Sequence, residues 1–422
     1  VKITGDKTRC VSFSGSGEQL ANFGLVCDKT REGRARIIVT AIGKGHVAKD
    51  TSFIDISNPM PVVTEIMEKI LNGPGSSELS WAPLKSGTVT LQVARMPMPD
   101  FNGMTIFMEN YPHLCTEQLS SKALFMLFGR RFLNAESRKK CESELPRIIK
   151  TVQSRQRDGG GYVYWPGQSD ENEWVSSLAG MALFEAQRQG FGVDRGSLEK
   201  WLKYQQAAAR DYRYSADTDL IQAFRLYTLA AAGSPSVSAM NRLRESKMLT
   251  RSAAYCLASA YAEAGRRDVA LKLIERAEKT QTANSDDIFY SPTRDSAIAL
   301  EAYTLCDLQH KAMQTARKIA AASGAMYVTQ DIALMSIAFS RLNESASEGP
   351  MSLRVTERDK TPISVIDNGC IRSLVLDPYG GSVKVENMQS KGMLELSLLT
   401  SYRPAADKTV VPCTRGVKIM VN

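Results

Sequence analysis

The feature that most restricts this chain is its central stretch, from about Phe101 to Leu342. It is patterned with helical periodicity and bounded on both sides by segments with strand periodicity. Val328, Ile332, Met335, Phe339 and Leu342 recur at i, i+4, i+7, i+11 and i+14, one apolar stripe along an α-helix. Leu220, Phe224, Tyr227 and Ala231 mark a second over 215–232, which Gly233 and Pro235 end. The same reading predicts helices over 116–133, 141–156, 172–190, 196–209, 250–264, 268–280, 293–308 and 311–322, with shorter ones at 101–111 and 236–245. Gly265, Ser291-Pro292 and Ser323-Gly324 punctuate them. Roughly a dozen helices with short loops and no fixed-length repeat can stack as hairpins and close into an α/α toroid. One helix of each pair would then lie inside and one outside.

The flanks differ in texture. Val1 to about Asp100 is rich in Gly, Ser, Thr and Val, and ARIIVTAIG (35–43) and TVTLQVARM (88–96) alternate as strands do. After Ser345 the strand texture returns in SLRVTER, SVKVENM and LELSLLTSY, with turn signals at Asp367-Asn368-Gly369 and Gly380-Gly381. A domain inserted into a sheet leaves and rejoins it at neighbouring points. Strands around 78–98 and within 352–422 are therefore expected to share one sandwich. The chain opens on Val1 and stops at Asn422 after the strand-like GVKIMVN, which reads as a piece of something longer.

Composition narrows the function. The longest apolar runs fall far short of the ~18 residues a membrane helix needs, so no membrane insertion is expected. Lys plus Arg total 53 against 45 Asp plus Glu, a net charge of +8, but the basic residues are scattered among acids. That pattern suits a solvated surface and no nucleic-acid partner. Eight cysteines stand singly and there are three histidines (46, 113 and 310), so neither a zinc site nor another metal or cofactor is expected. Cys10 with Cys27, and Cys370 with Cys413, stay open as pairs that an oxidising compartment could join. Asp286-Asp287 has no accompanying Asp repeat and reads as a solvated helix start.

The chemistry concentrates in Tyr111-Pro112-His113-Leu114-Cys115-Thr116-Glu117-Gln118-Leu119-Ser120-Ser121. Pro112 suits the start of a helix, and the apolar run Ala123, Leu124, Met126, Leu127 follows. Cys115 and Gln118, three apart on one turn, share a face. A thiolate beside a carboxamide and shielded from water can displace ammonia, leaving a thioester between the Cys115 sulfur and the Gln118 acyl carbon. A helix N-terminus favours the thiolate through unpaired N–H groups and the positive dipole end. The bare spacing is common, and a buried cysteine is most often a small hydrophobe.

YPHLCTEQLSS resembles the thioester signature of the alpha-2-macroglobulin and complement superfamily, whose bacterial members read Tyr-Pro-Tyr-Gly-Cys-x-Glu-Gln followed by Thr or Ser. DGGGYVYWPGQSDENEWVSSLAGMALFEA (158–186), AFRLYTLAAAG (223–233), AMNRLRES (239–246) and YVTQDIALMSIAF (327–339) are similar to segments of bacterial members in the same order. The resemblance implies a mixed α and β multidomain chain. It would comprise part of a macroglobulin-like β-sandwich (1–57) and a CUB-like β-domain (58–100 and 346–422), interrupted by an α/α toroid thioester domain (101–345). It also implies part of a broad-range protease inhibitor, not an enzyme. In that family a protease cuts a bait segment, the molecule rearranges, and the thioester acylates a lysine of the attacker. Cys115 and Gln118 would form the reactive bond, with Glu117, Pro112 and His113 as associated motif positions. The implied place is the periplasm or cell surface, with a lipid anchor on the parent as an option.

Leu114 stands where the family has glycine, and a γ-branched side chain resists backbone conformations that glycine allows. Either the turn is rebuilt or the bond forms poorly. His113 replaces an aromatic; it could act on Cys115 or Gln118, or be one polar substitution, which is the simpler reading. Some complement relatives use a distant histidine to redirect reactivity toward hydroxyls. The corresponding stretch here, RDYRYSADTD (210–219), has none, which favours direct attack by amines. Trp165 and Trp174 read as plugs of the toroid end. The alternatives are a structural module of such a protein lacking the bond and, further off, an enzyme on a toroid, which would need a deep polar cavity.

Overall fold

A computed structural model describes residues 1–27, 33–58, 60–84, 86–215, 218–247, 249–280, 291–322, 328–346, 350–367, 369–389 and 392–404 of the 422. Cys413, Asp286-Asp287 and the strand-like 416–422 lie outside the described residues. The strands are β1 (Lys2–Thr4), β2 (Gly24–Val26), β3 (Gly33–Gly43), β4 (His46–Ile56), β5 (Val63–Asn72), β6 (Gly75–Ser80), β7 (Thr88–Ala94), β8 (Met351–Glu357), β9 (Ile363–Asp367), β10 (Ile371–Leu376), β11 (Ser382–Asn387) and β12 (Met393–Tyr402). Between β7 and β8 come α1 (Phe101–Asn110), α2 (Thr116–Phe128), α3 (Ala135–Gln153), α4 (Glu173–Arg188), α5 (Arg195–Asp211), α6 (Asp219–Ala231), α7 (Val237–Arg244), α8 (Arg251–Glu263), α9 (Arg267–Lys279), α10 (Pro292–Leu305), α11 (Gln309–Ala322) and α12 (Thr329–Ala346).

Two kinds of helix alternate. Along α8 every residue from Ala253 to Tyr261 is buried, whereas α9 buries only Ala270, Leu273, Ile274 and Ala277, a single stripe. A helix enclosed on all sides must be apolar or small all round, and one facing water on its back carries a stripe. The even-numbered helices form a closed inner ring: α2 packs on α4, α4 on α6, α6 on α8, α8 on α10, α10 on α12, and α12 back on α2. Helices α3, α5, α7, α9 and α11 lie outside it. Helix α1 joins through Phe101, stacked on Phe132 at 4.5 Å and edge-on to Phe339. This closed ring is the α/α toroid the helical patterning allows. The helix expected to begin near 141 starts at Ala135, because the Asn134 side chain accepts the Ser137 N–H at 2.8 Å and caps it there.

Hydrogen bonds link the first turns of neighbouring inner helices on one face of the ring. The Thr329 hydroxyl of α12 donates to Glu117 of α2, the Ser291 hydroxyl at the cap of α10 donates to Asp331 of α12, and Thr250 at the cap of α8 donates to Asp219 of α6. On the axis, Trp174 stacks on Phe224 at 4.6 Å beneath the Arg294 guanidinium. Deeper in, the Tyr227 hydroxyl donates to Glu301 at 2.7 Å, and Arg341 lies 3.6 Å from Glu301 and 2.9 Å from Glu263.

Strands from both flanks share two four-stranded antiparallel sheets, ordered β10-β7-β12-β5 and β6-β11-β8-β9. Alternate residues face a common core: Val89, Leu91 and Val93 of β7, Leu394, Leu396 and Leu398 of β12, and Met351, Leu353 and Val355 of β8. The toroid is thus inserted after Ala94 and the sheets resume at Met351. Near the start of the chain, β3 and β4, eleven residues each, form a hairpin turning at Lys44-Gly45, both with positive φ. Among the described residues no helix is long and apolar enough to cross a membrane.

Candidate functional site

Helix α1 ends at Asn110, and the cap of α2 is Cys115 itself, with the extended backbone (φ −67°, ψ 167°) of an N-cap. Pro112, expected at the start of a helix, instead lies in the link between the two, where its ring disfavours helical backbone at Tyr111 and helps stop α1. The Cys115 sulfur lies over the Gln118 N–H, while the Gln118 carboxamide oxygen accepts the Cys115 N–H at 3.0 Å. This reciprocal arrangement folds the carboxamide back over the turn that carries the thiol, so both side chains share the first turn of α2. The amide nitrogen of Gln118 is directed at the Tyr111 hydroxyl, 3.5 Å away.

The Cys115 side chain is fully buried, and burial pushes its thiol above the ordinary value. The Gln118 N–H pulls the other way, the Glu117 charge raises the thiol further, and Tyr164 lowers it. The helix-terminal N–H groups do favour the thiolate, as expected, but desolvation outweighs them. Glu117 is held on both oxygens: Ser121 donates at 2.8 Å and Thr329 at 3.1 Å to each. Its carboxyl too is raised, first by burial, with the hydroxyl donors opposing and nearby Asp331 adding to the rise.

Leu114 is about half exposed, at 47%, and does not adopt positive φ. The turn before Cys115 thus does not call for the left-handed backbone that favours glycine. His113 is exposed, and its ring packs edge-on against Tyr111 at 5.8 Å.

Sequence reasoning missed what completes the pocket. The loop from 154 to 172 folds over the first turn of α2, where the Thr116 N–H donates to the Tyr164 carbonyl at 3.0 Å and Arg155 donates to the Thr116 hydroxyl at 3.3 Å. One of its glycines is required on steric grounds: at Gly160 (φ +100°) a Cβ would meet the Lys200 carbonyl oxygen at 2.3 Å. Of the two tryptophans, Trp174 plugs the ring, but Trp165 is 43% exposed beside Tyr164, contrary to the expectation of a plug. On the axis, Phe224, Tyr227, Cys256 and Glu301 line a void of about 20 Å³, room for one water. Among the described residues no three His, Cys, Asp or Glu side chains cluster to hold a metal.

No protein-family profile matches the chain. Among curated proteins, the alpha-2-macroglobulin of Rickettsia conorii is 27% identical over 145 residues, covering 33% of this chain and 8% of that protein. Among solved structures, native alpha-2-macroglobulin of Escherichia coli, spanning domain MG7 to the C-terminus, superposes with a TM-score of 0.60 at 17% identity. That match covers 91% of this chain and 64% of the other. Salmonella alpha-2-macroglobulin reacted with methylamine gives a TM-score of 0.60 at 19% identity, over 91% of this chain and 27% of the other. The chain therefore spans under two thirds of each of these relatives. The chain is thus similar in sequence, over a third of its length, to a bacterial alpha-2-macroglobulin and shares the fold of the corresponding region of the enterobacterial ones.

Proposed function

We propose that this chain is the thioester-bearing portion of a protease-trapping inhibitor, with Gln118 as acyl donor and Cys115 as leaving group. The observation that carries the proposal is the reciprocal cap, in which the Gln118 carboxamide folds over the turn holding the buried Cys115 sulfur. Closure would expel ammonia and leave an acyl group shielded by Tyr111 and Tyr164 until the parent molecule rearranges. A lysine amine of a protease would then attack the Gln118 carbonyl carbon, forming an amide and releasing the Cys115 thiol. The reading is supported by the similarity to bacterial alpha-2-macroglobulins and by structures of the Escherichia coli protein activated by trypsin and by porcine elastase. This is single-turnover acyl transfer, and a periplasmic or cell-surface location, with the parent optionally lipid-anchored, suits its targets. The domain division at 57, 100 and 345 is part of the same proposal.

The test uses the parent protein with a lysine-bearing protease. The expected result is a denaturant-resistant adduct whose cross-linked peptide joins Gln118 to a protease lysine and is lost in Cys115→Ala. Adducts that persist in that variant would refute the assignment.

A further inference from the structure

Cys115 is the cap of α2, and Thr116, Glu117 and Gln118 are its first three residues. The first four N–H groups of a helix lack partners within it, so the chain opens most easily at such an end. Thioester closure asks the opposite of this turn, because a thiol and a carboxamide react in proportion to how well they are held together.

The turn is held from outside α2 on two sides. From the covering loop, the Tyr164 carbonyl accepts the Thr116 N–H at 3.0 Å and Arg155 donates to the Thr116 hydroxyl at 3.3 Å. From the closing helix, the Thr329 hydroxyl lies 3.1 Å from each oxygen of Glu117. Ser121 also donates to Glu117, but it stands one turn along α2 itself and cannot tie the turn to the rest of the ring. Thr329 can. It is buried in the first turn of α12, and two residues on Asp331 accepts the Ser291 hydroxyl from the cap of α10 at 2.5 Å. A similar clasp joins α8 to α6 through Thr250 and Asp219. The Thr329 clasp differs in that its acid sits between Cys115 and Gln118.

We propose that Thr329 is a positioning residue for thioester closure, its hydroxyl acting through Glu117 to keep Cys115 and Gln118 within reach of each other. The inference rests on the thioester reading above. In closure the Cys115 sulfur bonds to the side-chain carbonyl carbon of Gln118, and the carbon–nitrogen bond breaks. The thiol proton leaves with the nitrogen as ammonia. Thr329 exchanges no proton in that step; it acts by where it holds Glu117.

The experiment compares the unaltered protein with three variants. Thr329→Val keeps the shape and loses the hydroxyl, Thr329→Ser keeps the hydroxyl, and Thr250→Val breaks the clasp between α8 and α6. Intact mass gives the fraction of each protein lighter by one ammonia, peptide mapping reads residue 118, and urea midpoints give stability. The expected result is a fraction about threefold lower or more in Thr329→Val, the remainder carrying glutamine at position 118 and a free Cys115. Thr329→Ser should stay within about 1.5-fold of the unaltered protein, and so should Thr250→Val, which lies on other helices and lowers only the midpoint. An undiminished fraction in Thr329→Val would overturn the proposal and leave the thioester standing. So would an equal fall in Thr329→Ser or in Thr250→Val, which would tie the bond to packing or to ring stability at large. Glutamate at position 118 in Thr329→Val would mean that the bond formed and then hydrolysed, a failure of shielding and not of position, and would also overturn it. Absence of the thioester from the unaltered protein would overturn both readings. If Thr329→Val does not fold, Thr329→Ala, which removes the same hydroxyl, takes its place.

Discussion

The first turn of α2 and the axis of the ring both bury charged side chains, but they satisfy them differently. At the turn, both oxygens of Glu117 accept hydroxyl donors, from Ser121 on its own helix and Thr329 on the closing helix α12. At the axis, one Glu301 oxygen accepts from Tyr227, the other has no hydrogen-bond partner, and the Arg341 Nε–H likewise makes none. A satisfied buried network rigidifies its surroundings, whereas a partly satisfied one leaves a group whose charge the fold disfavours. The contrast fits the proposed thioester turn, which must be held still, and an axis that need only be filled.

The comparison can be broken most forcefully at Arg341. Arg341→Met at pH 8 leaves Glu301 buried without its cation and is expected to destabilise the fold by about 4 kcal/mol, measured as the urea midpoint of the helical signal. A loss below about 1 kcal/mol would mean the axis is not held by this pair.

Next in size is the pH dependence of the axis. Burial pushes Glu301 up to about 7, against the opposing Arg341 charge and the Tyr227 bond, with Glu263 and Glu344 reinforcing the rise. The folded state thus binds the proton more tightly than the unfolded chain. The contribution is complete below the unfolded value near 4.5 and is lost as pH climbs through about 7. Between pH 5 and 8 this group should lower stability by on the order of 3 kcal/mol, and the difference profile against Glu301→Gln should show it. Parallel profiles for the two proteins would remove Glu301 from the account.

At the turn the expected effects are smaller. Glu117→Ala strands the Ser121 and Thr329 hydroxyls and should cost about 2 kcal/mol, together with a lower yield of thioester by mass. Glu117→Gln keeps an acceptor and should cost less than half of that. Equal losses in the two variants would show that the carboxyl's charge, not its acceptor role, matters. Leu114→Gly should be the mildest change, under about 1 kcal/mol, with unchanged thioester yield, because the backbone there is already ordinary. A clear rise in yield would mean the leucine hinders closure.

The same contrast governs what the sequence made legible. Cys115, Glu117, Gln118 and Ser121 lie within two turns, so their helical spacing shows which of them can meet. Thr329 is 212 residues from Glu117 and reaches it only because α12 closes the ring on α2. No local pattern encodes that. The bond from the Thr116 N–H to the Tyr164 carbonyl was invisible for the same reason, since it depends on where a glycine-bent loop lands. Outer helices such as α9 announce themselves by a stripe, while buried ones such as α8 show mainly an alanine-rich texture. Strand β5 went unread because VTEIMEKILN is an edge strand with charges on its open side, though Lys44-Gly45 was an available hairpin signal for β4. Pro112 was misplaced because a proline can stop one helix as readily as begin the next.

The most direct test weighs the freshly purified protein intact, before and after methylamine. The account expects a mass lower than that of the sequence by one ammonia. Methylamine should then add its full mass to Gln118 and release a single new thiol at Cys115. A mass equal to the sequence, with Cys115 already titratable and unchanged by the amine, would contradict it.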